Sequence, residues 1–293
     1  MTYAASVAGV TVNLTAGHGS GGDAEGDTLS GIEQVIGSGY DDTLTGDDGN
    51  NAFLGGAGND TINGGGGNDM IYADAGADTL VGGTGIDTVT YAASVAGVTV
   101  NLATGHGSGG DAEGDTLSEI EQVIGSGYDD TLTGDDGNNA FLGGAGNDLL
   151  MGGGGNDTYV FGTGDGHDLV DNSSAEGRST AEGATQIGVS KLQLWLDRAG
   201  DDLDIRILGT QDRLTIDDWF VDSNHQLTAM GSSDGHVLGN GAVDQLVSAM
   251  ATFEANYASS HNGVVFDPTS ADGTITDAAV LTAVNTAWRQ AAA

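Results

Sequence analysis

The stretch Gly55–Asn63 reads Gly-Gly-Ala-Gly-Asn-Asp-Thr-Ile-Asn, a nine-residue repeat of the form Gly-Gly-x-Gly-x-Asp-x-apolar-x. Near-consecutive copies run through the first 171 residues. The clearest occupy residues 64–72, 82–90, 143–151 and 152–160, and a looser copy starts at Thr163. A short period of this kind predicts a solenoid, in which every copy forms the same piece of backbone.

Each repeat combines a six-residue turn with a three-residue strand. Glycine allows positive φ and close backbone approach, so consecutive carbonyl oxygens can converge where the sixth-position Asp adds a carboxylate. Such oxygen donors suit Ca²⁺ better than a soft or nitrogen-seeking metal. The middle strand residue is apolar, as at Leu44, Phe53 and Ile62, which is the period of a strand with one buried face. Two repeats make one coil of 18 residues, so an ion can lie between repeats two apart.

The candidate metal ligands are the sixth-position side chains and the turn glycines. The sixth-position residues are Asp42, Asn51, Asp60, Asp69, Asp78, Asp87, Asp130, Asn139, Asp148, Asp157 and Asp168. The glycines are Gly56, Gly58, Gly65, Gly67, Gly83, Gly85, Gly144, Gly146, Gly153 and Gly155. The period pairs Asp42 with Asp60, Asp60 with Asp78, Asp69 with Asp87, and Asp130 with Asp148. The pairs Asn51–Asp69 and Asn139–Asp157 each lack one charge and should bind more weakly. Carboxylates in the same turns could compensate for the missing charge: Asp47, Asp48, Asp135 and Asp136.

A single Gly-Asn-Asp turn would be explained by ordinary turn formation, but the long array favours metal binding. The repeat resembles the calcium-binding nonapeptide of the repeats-in-toxin (RTX), haemolysin-type proteins, which bacteria export by type I secretion. The resemblance implies a parallel β-roll or β-helix solenoid with multiple Ca²⁺ ions. It further implies the type I secretion machinery as a partner and a secreted or cell-surface location.

The energetics favour folding that depends on calcium. Ordering the backbone of each residue costs roughly 1–2 kcal/mol, whereas one buried Leu or Ile returns about 1.5–3 kcal/mol per nine-residue repeat. Net hydrogen bonds of about 0.5–1.5 kcal/mol each leave the sum close to zero or unfavourable. The formal charge is −37, and neither Lys nor Arg occurs before Arg178, so stacked carboxylates would repel one another without a cation. Metal binding and folding should therefore be one event.

Composition restricts the partners further. The chain has no Cys, which excludes a disulfide framework. It contains no apolar run of membrane-spanning length. Nucleic acid is an unfavourable partner, because both it and this acidic chain carry negative charge.

In addition to the nonapeptides, the sequence repeats with a longer period of 88 residues. Residues 3–60 recur almost unchanged as residues 91–148, and Met1 interrupts this pattern. We expect a C-terminal piece of a longer protein, and the alternative is a natural short gene that begins at Met1. Each long repeat contains a Gly-rich loop, residues 18–27 and 106–115. Asp23, Glu25 and Asp27 in the first loop allow two interpretations: another cation site, or simple closure of a wider coil.

The sequence predicts three regions in an all-β fold that carries short α-helices. Residues 1–171 form the calcium-binding β-roll, with nonapeptides at 37–90 and 125–171. Residues 172–239 form a β-rich cap with strands at 191–196, 202–207 and 213–216, and Trp195, Trp219 and Phe220 in its core. Gly209–Phe220 resembles the segment that follows the roll in many haemolysin-type proteins. Residues 240–293 form a helical secretion-signal region, with helices over 242–253 and 276–290 and Thr276 as N-cap.

No catalytic centre is expected. Gly231–Gly235 matches the Gly-x-Ser-x-Gly pattern, but the flanking strand and helix that this chemistry needs are not predicted there. The sequence has no His-Glu-x-x-His motif and no P-loop. The predicted function is calcium-dependent folding outside the cell, in support of export and scaffolding. Two alternatives remain: a surface-layer-like or adhesin module that binds cells or polysaccharide, and the non-catalytic end of a secreted metalloprotease, lipase or alginate epimerase.

Overall fold

The computed structural model describes residues 1–172, 184–261, 266–270 and 274–290. The chain divides into two compact units. The first unit comprises Met1–Asp135 and Asn139–Gly144, and the second comprises Asp136–Asn138 and Ala145–Ala293. The regional limits predicted at 171/172 and 239/240 rest on a change of composition, and they stay predictions.

The first unit is built almost entirely from three-residue strands. They are β1 (Thr11–Asn13), β2 (His18–Ser20), β3 (Gln34–Ile36), β4 (Thr43–Thr45), β5 (Ala52–Leu54), β6 (Thr61–Gly66), β7 (Met70–Tyr72), β8 (Thr79–Thr84), β9 (Thr88–Thr90), β10 (Thr99–Asn101), β11 (His106–Ser108), β12 (Thr116–Ser118), β13 (Gln122–Ile124), β14 (Thr131–Thr133) and β15 (Ala140–Leu142). One sheet has the order β2-β1-β4-β6-β8-β12-β11-β10-β14, and the other has the order β3-β5-β7-β9-β13-β15.

The strand register follows the 18-residue period. Thr43 pairs with Thr61, and Thr61 pairs with Thr79, in parallel strands. Middle strand residues such as Leu44 and Phe53 are completely buried between the sheets. This arrangement confirms the predicted parallel β-roll, with two repeats per coil.

The Gly-rich loops return to the sheet as hairpin strands. β2 runs antiparallel to β1, and β11 runs antiparallel to both β10 and β12. The coil after β8 continues with β12, which pairs with β8 in parallel through Leu117 and Leu80. The 88-residue repeat thereby widens one coil of the roll.

The second unit contains ten strands and two α-helices among its described residues. They are β16 (Leu149–Met151), β17 (Thr158–Phe161), β18 (His167–Asp171), β19 (Ala184–Ile187), β20 (Leu194–Ala199), β21 (Asp202–Ile207), β22 (Arg213–Ile216), β23 (Ala229–Ser232), β24 (His236–Gly239), α1 (Val243–Ser260), α2 (Ala278–Ala287) and β25 (Arg289–Gln290). β22 and β23 continue the parallel pairing of β18 and β19, and the antiparallel strands β21, β20, β24 and β25 follow them.

Four local predictions in this unit need correction. The strand predicted from Lys191 begins at Leu194, because the Ser190 side chain caps a 3-10 turn over Lys191–Gln193. The first helix extends to Ser260, seven residues beyond the predicted end at Phe253.

The second helix ends at Ala287, and the last predicted helical residues, Arg289–Gln290, form β25. Its N-cap is Asp277 and not Thr276, because the Asp277 carboxylate accepts from the amides of Ala279 and Val280 at 2.9 and 3.1 Å. A carboxylate near a helix N-terminus also interacts favourably with the helix dipole.

The aromatic residues of the cap divide into two groups. Trp195 and Trp219 are buried, as predicted for a cap core. Phe220 is half-buried, and the Arg198 guanidinium lies over its ring at 4.4 Å from the ring centre. Among the described residues, no helix has both the length and the apolar character needed to cross a membrane.

Candidate metal centre

Carboxylates line both turn edges of the first unit in a regular ladder. The backbone N–H of Asp42 donates to Oδ1 of Asp60 at 2.7 Å, and that of Asp60 donates to Oδ1 of Asp78 at 2.8 Å. On the other edge, the amides of Asn51 and Asp69 donate to Oδ1 of Asp69 and Asp87, both at 2.7 Å. Every step spans 18 residues, which is one coil. The expected pairs in the first block therefore lie in contact.

The second oxygen of several ladder carboxylates has no hydrogen-bond donor. Oδ2 of Asp60, Asp69 and Asp87 is buried without a partner in the described part of the chain. These three residues are at least 98% buried. Burial of an ionised oxygen without a partner is costly, and buried charges in proteins are normally paired or bound to metal. The donor set is made of hard oxygens, which fits Ca²⁺.

The ladder also shifts the acidity of its own members. Burial raises the pKa of Asp60 and of Asp78 to about 7, and the neighbouring carboxylates add to the effect. Burial likewise raises the pKa values of Asp69 and Asp87. A nearby cation would act in the opposite direction, because it favours the ionised form.

The turn glycines take the conformation that the repeat predicts. All the candidate glycines have positive φ: Gly56, Gly58, Gly65, Gly67, Gly83, Gly85, Gly144, Gly146, Gly153 and Gly155. At Gly56, a Cβ atom would lie 1.8 Å from the carbonyl oxygen of Ser38 in the preceding coil. The stacked turns therefore need glycine here, both for its conformation and for the close backbone approach.

Asp42 and Asp130 differ from Asp60, Asp69 and Asp87. Oδ1 of Asp42 accepts from the amide of Val10 at 2.6 Å, and the Ser38 amide and hydroxyl also donate to this carboxylate. Asp130 has the equivalent donors in Val98 and Ser126. Because protein donors reach both of their oxygens, these two carboxylates need a cation less than Asp60 does.

The side-chain oxygens of the two Asn residues also accept hydrogen bonds from backbone amides. Oδ1 of Asn51 accepts from the amide of Asp47 at 2.9 Å, and Oδ1 of Asn139 accepts from that of Asp135 at the same distance. Burial raises the pKa of Asp69 most, and the charges of Asp87 and then Asp47 raise it further, so Asp47 lies on the edge where compensation was predicted. Oδ1 of Asp47 itself accepts from the amide of Gly49 at 2.8 Å. The weaker affinity of the Asn sites stays a prediction.

The second unit contains the remaining candidates. The amide of Asp148 donates to Oδ1 of Asp168 at 3.1 Å, and burial raises the pKa of Asp168 to about 8. Asp157 is buried as well. The pairs Asp130–Asp148 and Asn139–Asp157 join residues of different units, and they stay predictions.

Two ladder residues lie outside the predicted set. The amide of Asp78 donates to Oδ1 of Asp115 at 2.9 Å, and the amide of Asp87 donates to Oε2 of Glu121 at 2.8 Å. The sequence did contain a signal for Asp115, because Asp115-Thr116-Leu117 reads Asp-x-apolar, like the second half of a nonapeptide. Glu121-Gln122-Val123 follows the same pattern, with Glu in place of Asp.

The first Gly-rich loop, residues 18–27, is bonded to its own coil of the roll. Oδ2 of Asp27 accepts from the Tyr3 hydroxyl at 2.8 Å, and Oε2 of Glu25 accepts from the amide of Gly21 at 2.9 Å. The amide of Asp23 donates to the Ser6 hydroxyl at 3.0 Å. These bonds hold the loop within its own coil, which favours the second of the two interpretations.

The fold and the carboxylate ladder define a parallel β-roll whose turns are built to bind cations. Residues 27–62, 54–89 and 124–159 match the family model of the RTX calcium-binding nonapeptide repeat. These segments are RTX calcium-binding repeats, and proteins with such repeats are typically secreted.

Proposed function

We propose that this chain is the calcium-responsive module of a secreted bacterial protein, disordered at cytosolic calcium concentrations and folded by Ca²⁺ outside the cell. The observation that carries the proposal is the set of buried Oδ2 atoms without partners on Asp60, Asp69 and Asp87. When bound, Ca²⁺ supplies the positive charge that these oxygens lack. At calcium affinities of about 10⁻⁴–10⁻³ M, calcium at about 1–10 mM stabilises each site by about 0.4–2.7 kcal/mol.

The test is circular dichroism of the purified chain during a calcium titration, with magnesium as the control. We expect a coil spectrum in EDTA and a cooperative β signal at millimolar Ca²⁺. Mg²⁺ should produce little change, because it requires near-ideal octahedral geometry. A full β spectrum after exhaustive chelation would contradict the proposal.

Export by a type I secretion machinery is the second part of the proposal. Residues 240–293 support it: they contain no Lys, and their helices α1 and α2 each have an apolar face. The test is co-expression with a type I exporter of the full chain and of a chain that lacks residues 240–293. We expect the full chain alone to reach the medium, and equal export of both chains would contradict this assignment.

We further propose that the chain acts as a scaffold and not as an enzyme. Ser233 of the Gly-x-Ser-x-Gly match lies in the tight turn between the antiparallel strands β23 and β24, a setting unlike the strand-to-helix elbow of hydrolases. The neighbouring Ser232 hydroxyl donates to Asp234. Assays with casein and with a lipid ester should show no hydrolysis by the calcium-loaded chain, and turnover of either substrate would contradict this part.

A further inference from the structure

One nonapeptide of the first unit has an Asp where its neighbours have Gly. Residues 73–81 read Ala-Asp-Ala-Gly-Ala-Asp-Thr-Leu-Val, so Asp74 stands at the second position. The adjoining copies have Gly65 and Gly83 there, and the copy one coil earlier has Gly56. Asp74 therefore departs from the repeat, and it adds a carboxylate to those that the sixth-position residues supply.

Asp74 reaches back over one coil toward the carboxylate ladder. Its Oδ2 accepts from the amide of Gly56 at 2.7 Å, and its Oδ1 is buried without a hydrogen-bond partner in the described part of the chain. Asp60, Asp74 and Asp78 each offer a carboxylate oxygen, and these three oxygens all lie within 4.8 Å of one another. Asp60 and Asp78 are both 98% buried, and Oδ2 of Asp60 has no donor either.

The separation of these oxygens matches one coordination sphere. Calcium–oxygen distances are about 2.3–2.6 Å, so two ligands on opposite sides of one ion are about 4.6–5.2 Å apart. Oxygens within 4.8 Å of one another can therefore all bind the same ion. On the opposite turn edge, the equivalent second position in the Asp69–Asp87 pair is Gly83, so that pair lacks a third carboxylate from this position.

We propose that Asp60, Asp74 and Asp78 form a three-carboxylate cation site that binds Ca²⁺ more tightly than the two-carboxylate sites of the first unit. The inference rests on the proposed function, because it assigns an order of filling to the same roll. Calcium affinity rises with the number of charged ligands and with the rigidity of the site. Since each coil of a solenoid contacts only its neighbours, ordering begins at this site and spreads to the adjacent coils.

The experiment is isothermal calorimetry of the full chain with CaCl₂, beginning in chelated buffer. Asp74→Asn keeps an oxygen that can accept from the Gly56 amide, but it removes the charge. Asp74→Gly restores the residue that the neighbouring repeats have at this position, so it retains a turn that is known to fit the roll. Glu33→Gln removes the same charge from an exposed position of the first unit and serves as the control.

We expect the tightest binding step to weaken by at least about tenfold in both Asp74 variants and to stay unchanged in Glu33→Gln. The lifetime of Tb³⁺ emission at substoichiometric metal gives a second measurement, and it should shorten in the Asp74 variants because water replaces the lost ligand. If both Asp74 variants bind like Glu33→Gln while the parent chain still folds with calcium, the inference is overturned and the proposed function stands. If the parent chain binds no calcium, both are overturned.

Discussion

The backbone amide of Asp60 donates to Oδ1 of Asp78, 18 residues further along the chain, at 2.8 Å. Asp60 in turn accepts from the amide of Asp42 at 2.7 Å through its own Oδ1. Asp60 therefore fastens the backbone of the preceding coil with Oδ1, while its Oδ2 is buried without a hydrogen-bond partner in the described part of the chain. Loss of one carboxylate should affect the coil on either side of it.

Asp60→Ala should raise the calcium concentration needed for half-maximal β signal. The substitution removes a ligand shared by two proposed sites, and it leaves the amide of Asp42 without its acceptor. A hydrogen bond to a charged group is worth about 1.5–3 kcal/mol, so the calcium-loaded chain should lose at least that much stability. Circular dichroism titration measures the midpoint, and Thr61→Ala on the exposed strand surface is the control. Equal midpoints for the two variants would count against the ladder as a metal site.

The metal-free chain should gain β structure as the pH falls. In the folded state the pKa of Asp60 and Asp78 is raised from 3.8 to about 7, so folded chains hold protons that unfolded chains release between these values. This stabilisation is present below about pH 4 and disappears as the pH rises through 7. Circular dichroism in EDTA should therefore show more β signal at pH 5 than at pH 8. A flat profile, or one with the opposite slope, would show that these carboxylates are not buried together.

Calcium titrations should show the opposite dependence on pH. The ligands must be deprotonated before they bind a cation, so protons compete with calcium for the same oxygens. The midpoint of the calcium titration should therefore be higher at pH 5.5 than at pH 8. Calorimetry in two buffers of different ionisation enthalpy would detect protons released on binding near pH 6, and their absence would contradict the prediction.

Gly56→Ala should destabilise the calcium-loaded roll much more than Gly39→Ala. Gly56 has a φ of 99°, and a Cβ there would meet the Ser38 carbonyl oxygen at 1.8 Å. Around Gly39, a Cβ would meet no atom within 4 Å. Strain of the backbone alone costs about 1–3 kcal/mol, and the close contact adds to it. Urea unfolding at saturating calcium measures the difference, and equal losses would contradict the stacked-turn geometry.

Asp115→Ala should weaken calcium binding although Asp115 lies outside the matched nonapeptides. Asp115 accepts from the amide of Asp78 at 2.9 Å and from the Tyr91 hydroxyl at the same distance. Asp27, its equivalent 88 residues earlier, has the matching bond to Tyr3, and no ladder amide of the described chain is bonded to it. Asp27→Ala is thus the matched control. If both substitutions raise the calcium midpoint equally, Asp115 does not act as a ladder residue.

Much of the fold could be predicted from the repeat itself. The nonapeptide determined the 18-residue strand register, the buried middle residue at positions such as Leu44, and the positive φ of glycines such as Gly56. These features depend on residues within one repeat and on its identical neighbours, so the local pattern is sufficient. The helix limits were less predictable, because Asp277 and Thr276 are both good N-cap residues and the packed chain decides between them.

The sequence by itself determined that this protein contains a calcium-binding β-roll with carboxylates repeated along its turns. The tertiary structure alone decided which carboxylates complete the ladder where the repeat is interrupted. Asp115 and Glu121 lie 37 and 34 residues from their partners Asp78 and Asp87, whereas the repeat predicts a separation of 18. Asp74 likewise meets Asp60 and Asp78 through the stacking of coils. The physical reason is that a ligand set forms from coils adjacent in space, and an inserted hairpin changes which segments those are.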